Sequence, residues 1–197
     1  MAPRVGYMRE HIADNASQLV QRIARGERQA LTELYARYQQ LLFSYLLQLT
    51  PDRGLVEEIL QDTLVAVWKS APSFEGRSTV QTWLIGIARR QAHNTLRQRT
   101  LPFVAESEME TLIATEPEPE VALLANASRE ELVIAFNRLA PFHREVLFLA
   151  FIQELSQPEM AKLLNVPVGT VKSRLSNAKR MLRTHLTNLD AEEETQQ

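Results

Sequence analysis

The chain contains no cysteine in its 197 residues. That excludes disulfides, thiolate metal sites and a cysteine nucleophile. Glycine is scarce, at six residues, and no alternating Val/Ile/Thr runs stand out. Sheet-rich architectures therefore have little to build on, and an all-α chain is expected. No apolar run approaches membrane-spanning length, and no charged-then-apolar signal segment opens the chain. A soluble cytoplasmic protein without membrane insertion is the expectation. Carboxylate clusters, a Gly-rich phosphate loop and a nucleophile–base arrangement are all missing, so no catalytic residue, metal ligand or cofactor is assigned and a non-enzyme is expected. His93 stands alone, without a partner at metal-ligand spacing.

The charge is low overall but unevenly spread. The formal net charge is −2, which by itself argues against a nucleic-acid binder. Yet the segment from Val104 to Ser128 holds six Glu and no Lys or Arg, and the tail from Asp190 adds four more acids. Setting those two segments aside leaves 22 basic residues against 14 acidic, a net of +8. Basic modules joined by an acidic strap say more about partners than the whole-chain value does.

The clearest motif is LSQPEMAKLLNVPVGTVKSRLSNAKRML, Leu155 to Leu182. Ser156, Pro158 and Glu159 form a capping-box start. Met160, Ala161, Leu163 and Leu164 give the helix an apolar face. Pro167 pushes Val166 out of the helical region, and Asn165 suits a left-handed helix end. A second helix follows with a buried stripe at Val171, Leu175, Ala178 and Leu182. Lys172, Ser173, Ser176, Asn177, Arg180 and Arg183 fall away from the stripe, with Arg174 and Lys179 on its flanks. Short polar groups allow approach to a major groove, while basic groups neutralise phosphates. The pattern is a helix-turn-helix with a DNA-reading second helix.

Upstream, helical periodicity begins at Ser17, and residues 1–16 are expected to be a flexible segment. A first helix starts at Leu19 and is interrupted at Gly26. A long amphipathic helix runs from Ala30 to Leu49, and a third from Leu55 to Ser70. On the third, Val56, Leu60, Thr63, Leu64 and Val67 line a buried face, with Glu58, Gln61, Asp62 and Val65 opposite. A loop, Phe74-Glu75-Gly76-Arg77-Ser78, leads into a fourth helix from Thr79 to Arg99 that bears Trp83, Arg89 and Arg90. Aromatic and Arg groups beside a Gly-containing loop suit capture of unstacked bases; Trp83 is equally suited to core packing. Pro102, Pro117 and Pro119 with the Glu run mark a flexible acidic linker. Two small helical domains follow: 17–100 and 129–189, joined by 101–128 and ending in an acidic tail, 190–197.

In register from Leu19 to Leu186, the chain resembles a bacterial RNA polymerase sigma factor of the extracytoplasmic-function group of the sigma-70 family. ELYARYQQLLFSYLLQL is similar to the opening of the family's domain two, and VEEILQDTLVAVW to its core-binding segment. STVQTWLIGIARRQAHNTLR resembles the promoter-melting segment, and the run from Leu139 to Leu182 resembles domain four. The resemblance implies binding to core RNA polymerase and direction to dedicated promoters. It places Glu58, Gln61 and Asp62 against the clamp helices of the largest polymerase subunit, with the polymerase flap as a further contact. Phe74, Glu75, Gly76, Arg77, Ser78, Trp83 and Arg89 would hold the non-template strand of the minus-ten element. Lys172, Ser173, Arg174, Ser176, Asn177 and Arg180 would address the minus-thirty-five duplex. It also implies an anti-sigma factor as partner, and a strap whose charge mimics nucleic acid. One departure stands out: Leu84 occupies a position where housekeeping sigma factors carry a second Trp, which implies limited melting power. A competing reading is a two-module helix-turn-helix regulator of LuxR type, acting as a dimer without replacing the sigma factor. A phospho-acceptor pocket, which that reading needs, is not visible in the sequence.

Overall fold

In a computed structural model the chain is described over residues 5–99 and 128–194, with side chains described from 15 to 99 and 128 to 189. The described residues contain helices and no strands, as the scarcity of glycine and of β-branched alternation led one to expect. They divide into two units, one within 1–103 and one within 104–197. Most of the acidic linker assigned to 101–128, and the last three residues of the tail, lie outside the described residues.

The N-terminal unit has four helices: α1 Val5–Ala24, α2 Arg28–Leu49, α3 Arg53–Ser70 and α4 Val80–Gln98. α1 starts twelve residues before the expected boundary at Ser17; Val5, Met8 and Ile12 carry the helical spacing of Ala16, Leu19 and Ile23 back to its first turn. Gly26 ends α1 at φ +87°, the left-handed geometry in which glycine carries no Cβ penalty. Its amide donates to Ile23 O at 2.9 Å. The junction is then clasped by Arg22, whose guanidinium pairs with Glu27 and, at 2.9 Å, with Glu33 at the start of α2. Asp52 caps α3 by accepting from Leu55 N–H at 3.1 Å.

α2 is the centre of this unit. Its rows Ala30, Leu34, Tyr38, Leu42, Tyr45, Leu46 and Leu49 are all buried, and α2 packs against α1, α3 and α4. From α3 come Leu55, Val56, Ile59, Leu60 and Val67. From α4 come Val80, Leu84, Ile85, Ala88, Ala92 and Leu96. Thr63 is wholly buried and satisfies its hydroxyl on Ile59 O at 2.7 Å. Leu84 lies in this core at 2% exposure. A bulkier ring there would have to be accommodated by repacking.

The C-terminal unit has α5 Arg129–Asn137, α6 Pro141–Leu147, a π turn Phe148–Ile152, α7 Gln157–Leu164 and α8 Val168–Glu194. α8 is its spine: α5, α6 and α7 all pack on it. α5 starts with a capping box in which Ser128 N–H donates to the Glu131 carboxylate at 2.6 Å and Glu131 N–H donates back at 3.2 Å. α7 repeats the device at Ser156 and Glu159, as its sequence led one to expect. Asn165 ends α7 in the left-handed region, φ 57° and ψ 47°. α8 continues past the helix-turn-helix. Leu186 and Leu189 bury against Ala135, with Leu132 and Leu182 packed alongside. The expected separate tail from residue 190 therefore begins as helix, through Glu194.

Two predictions follow from these packing features. Burial, aided by the positive charge of Arg89, lowers the pKa of His93 on α4 to about 4, below its ordinary 6.5. Between those values the unfolded chain binds the extra proton, so the folded unit loses stability as pH falls from 6.5 towards 4. The thermal midpoint of the N-terminal unit should drop over that window, and the drop should shrink in His93→Gln. At Asn165, Asn165→Gly should leave the midpoint unchanged or higher, whereas Asn165→Ala should cost about 1 kcal/mol, because a Cβ without a local hydrogen-bonding group disfavours that backbone.

Candidate nucleic-acid and polymerase interface

Three surfaces carry the residues singled out by the sequence. The first lies on α3. Glu58, Gln61 and Asp62 are exposed on the side opposite the buried row, and Val65 completes the strip at 52% exposure. One contact could not be read from spacing: the Arg99 guanidinium at the end of α4 pairs with the Glu58 carboxylate, 41 residues away in sequence. Both side chains remain about half exposed, so the pair adds little stability. It does order the acidic strip at one end.

The second surface is the connection from α3 to α4. A short 3-10 turn, Ala71–Ser73, ends with Phe74 N–H donating to Ala71 O at 3.2 Å. Gly76 then takes φ +70°, a left-handed turn, with nothing within 4 Å of where a Cβ would sit. It is the backbone conformation that calls for glycine here, not lack of space. Thr79 restarts the helix as N-cap, accepting from Thr82 N–H at 3.1 Å. Glu75 and Arg77 pair with each other and stay exposed, as does Ser78. The sequence left Trp83 between core and contact; it is half-buried, and its ring lies 4.8 Å from that of Phe74 at a 46° tilt. The pair anchors the loop to α4 while leaving aromatic surface available. Arg89, two turns further along α4, is half-buried.

Beside this loop is an open cavity of about 410 Å³, walled by α1 on one side and by the loop on the other. Val20, Ala24, Ala71 and Phe74 give it an apolar floor, with Gln21, Arg25 and Glu75 supplying polar groups. A flat ring with hydrogen-bonding edges suits such a lining. The α1 residues were not among those singled out from sequence, since only the fold brings a helix some fifty residues upstream against this loop.

The third surface is α8. Lys172, Ser176 and Arg180 are exposed; Ser173 and Arg174 are half-buried. The Ser173 hydroxyl donates to Thr170 O at 3.0 Å. Arg174 lies over the Phe142 ring at 6.0 Å, and Lys179 over the Phe151 ring at 5.7 Å. Asn177 departs from the expected face. It lies next to the buried Ala178 and is only 6% exposed, so it does not stand out towards a duplex. A helical wheel centred on the apolar stripe puts it outside, whereas its burial shows that the packing on α8 reaches beyond that stripe.

Among the described residues no group of His, Asp or Glu is arranged to hold a metal ion, and no helix is long and apolar enough to cross a membrane.

Comparison with known proteins bears on all three surfaces. Residues 34–101 match the family model described as Sigma-70 region 2, and residues 129–182 match Sigma-70, region 4. The chain is 30% identical over 165 residues to the ECF RNA polymerase sigma factor SigX of Bacillus subtilis (strain 168), covering 81% of this chain and 84% of that protein. It is 31% identical over 168 residues to RNA polymerase sigma factor YlaC of the same organism, covering 84% and 97%. Among solved structures, the sigma factor RpoE in complex with the anti-sigma factor NepR from Bartonella quintana aligns at a TM-score of 0.58. That alignment has 25% identity and covers 79% of this chain and 96% of the other. α1 precedes the first matched segment, so its wall of the cavity belongs to no matched motif.

The stacked aromatics give a direct test. In a Trp68→Phe background, where Trp83 is the only tryptophan, Phe74→Ala should raise the accessibility of Trp83 to acrylamide quenching. It should also lower stability by about 1 kcal/mol, the scale of a lost aromatic pair. Unchanged quenching would mean that Phe74 does not cover the indole.

Proposed function

The chain belongs to the extracytoplasmic-function group of the sigma-70 family, and on that premise we propose how its residues divide the work. As a sigma factor it binds core RNA polymerase and promoter DNA and directs promoter-specific transcription initiation. The LuxR-type alternative has no support, since both units match sigma-70 regions. The strand-joining chemistry belongs to the polymerase; this chain supplies recognition and acts as an initiation factor in the cytoplasm.

In this reading domain 17–100 engages polymerase through the α3 strip of Glu58, Gln61 and Asp62, with Val65 as an apolar contact. Acidic and apolar groups on one exposed helix face suit a basic, partly apolar helical partner. The loop Phe74 to Ser78, with Trp83 and Arg89, holds the unpaired minus-ten strand. The observation that carries this assignment is the loop itself: a left-handed Gly76, an aromatic pair at its start, and an open cavity of about 410 Å³ beside it. Unstacked bases are bound by stacking and by polar edges in such cavities. Domain 129–189 reads the minus-thirty-five duplex with the exposed side of α8: Lys172, Ser173, Arg174, Ser176 and Arg180. An anti-sigma factor, as in the RpoE–NepR complex, would act by covering the polymerase- or DNA-binding surfaces. The acidic linker 101–128 contributes charge of nucleic-acid sign near the polymerase.

Two measurements test the assignment. Purified chain added to core polymerase on a promoter library should yield transcripts from a restricted set of promoters; transcription from none would refute it. For the polymerase face, each exposed charge pair is worth up to about 1 kcal/mol, so reversing two charges with Glu58→Lys and Asp62→Lys should weaken core binding about tenfold or more. The fold should survive, because both positions are on the surface. Undiminished affinity in a titration against core polymerase would remove this face from the interface.

A further inference from the structure

The burial of Asn177 gives it a role other than reading DNA. We propose that Asn177 is a positioning residue whose buried carboxamide fixes the guanidinium of Arg180 for contact with the promoter duplex. The inference rests on the assignment of α8 to the minus-thirty-five element.

The geometry is local. Asn177 and Arg180 are three residues apart on α8, so their side chains lie on neighbouring positions of one helix face. Arg180 Nη2 donates to Asn177 Oδ1 at 3.3 Å. Asn177 as a whole is only 6% exposed and is followed by the wholly buried Ala178, whereas Arg180 is exposed. A buried carboxamide has few conformations available, because it must keep its hydrogen bonds inside the packing. An exposed arginine is the opposite: its long side chain is free to rotate, and ordering it is costly. Joining the two lets the rigid partner hold the mobile one. The guanidinium has five N–H donors in a planar fork; the donor that reaches Asn177 sets the plane, and those on the outer edge stay directed away from the core.

Neighbouring cations on the same helix are held in a comparable way, Arg174 over Phe142 and Lys179 over Phe151. What differs at Arg180 is that its anchor lies on the helix itself. That anchor is a hydrogen-bond acceptor three residues away rather than an aromatic ring on another element. A pre-ordered cation loses less freedom on binding, and so adds more to affinity.

The test is a double-mutant cycle in polymerase holoenzyme reconstituted with the full chain, reading affinity for a promoter fragment as a function of salt. Arg180→Ala should weaken binding and lower the salt slope by about one. Asn177→Leu, which keeps the branched outline but removes the acceptor, should weaken binding about three- to tenfold, the scale of one charge-assisted hydrogen bond partly lost. In the Arg180→Ala background the same Asn177→Leu change should have no further effect on affinity. Thermal midpoints of all four proteins separate a loss of fold from a loss of positioning, and Asn177→Ala provides a second variant should leucine fit poorly. Additive losses would overturn the proposal. So would a changed preference at one minus-thirty-five position that persists without Arg180, since Asn177 would then be reading a base itself. If Arg180→Ala alone leaves affinity and salt slope intact, the assignment of this helix face falls and the positioning role falls with it.

Discussion

Along one side of α2, Ala30, Leu34, Tyr38, Leu42, Tyr45, Leu46 and Leu49 form a seam buried by three other helices. Each fully buried Leu in such a seam is worth about 1.5–3 kcal/mol, and Tyr45 adds a large ring at no exposure. Both surfaces proposed for the N-terminal unit are carried by helices whose inner faces meet this seam. α3 can present Glu58, Gln61 and Asp62 outward because Val56, Ile59 and Leu60 are fixed inward. α4 can hold Trp83 at the rim because Leu84 and Ile85, the next residues, are buried. A helix turns about 100° per residue, so pinning one face fixes the opposite one.

The C-terminal unit solves the same problem with α8 alone. One end of that helix packs on the helix-turn-helix core through Val171 and Ala178, and the other packs on α5 through Leu186 and Leu189. The surface proposed to read DNA sits on the first half, and the second half packs on α5. The π turn between α6 and α7 leaves Phe151 and Ile152 exposed, at 61% and 63%, and Glu154 just after it adopts a left-handed φ of 54°. This irregular stretch lets Leu155 N–H reach back to Leu149 O at 3.0 Å and redirects the chain into Ser156 and the second capping box.

What the sequence revealed and what it hid divide along physical lines. Apolar periodicity located α2, α3, α4 and the helix-turn-helix, because each buries a stripe whose spacing is set by helical geometry alone. Cap chemistry was equally visible: the Ser156–Glu159 box and the left-handed Asn165 depend only on neighbours in sequence. Features that depend on distant partners were hidden. The Glu58–Arg99 pair spans 41 residues, and the cavity beside Gly76 needs α1 as its second wall. A wheel that counts apolar residues puts Asn177 outward, whereas its burial is a matter of tertiary packing that the wheel does not contain. The start of α1 at Val5 is legible as well, since Val5, Met8 and Ile12 continue the stripe of Ala16, Leu19 and Ile23, although helix is expected only from Ser17.

The two capping boxes of the C-terminal unit have a consequence for its history as well as its stability. Each is closed by residues that belong to the unit itself, Ser128 with Glu131 and Ser156 with Glu159. At Ser128 the chain therefore meets a start signal that does not depend on what comes before it. Hydrogen bonds from Ser128 and Ser156 also hold both glutamates in their ionised form, below the ordinary carboxylate range. A module that writes its own first turn can be spliced behind sequences of any length or composition without renegotiating its fold. The length or charge of the segment before Ser128 can then change as a separate trait while the first turn of α5 keeps its own cap.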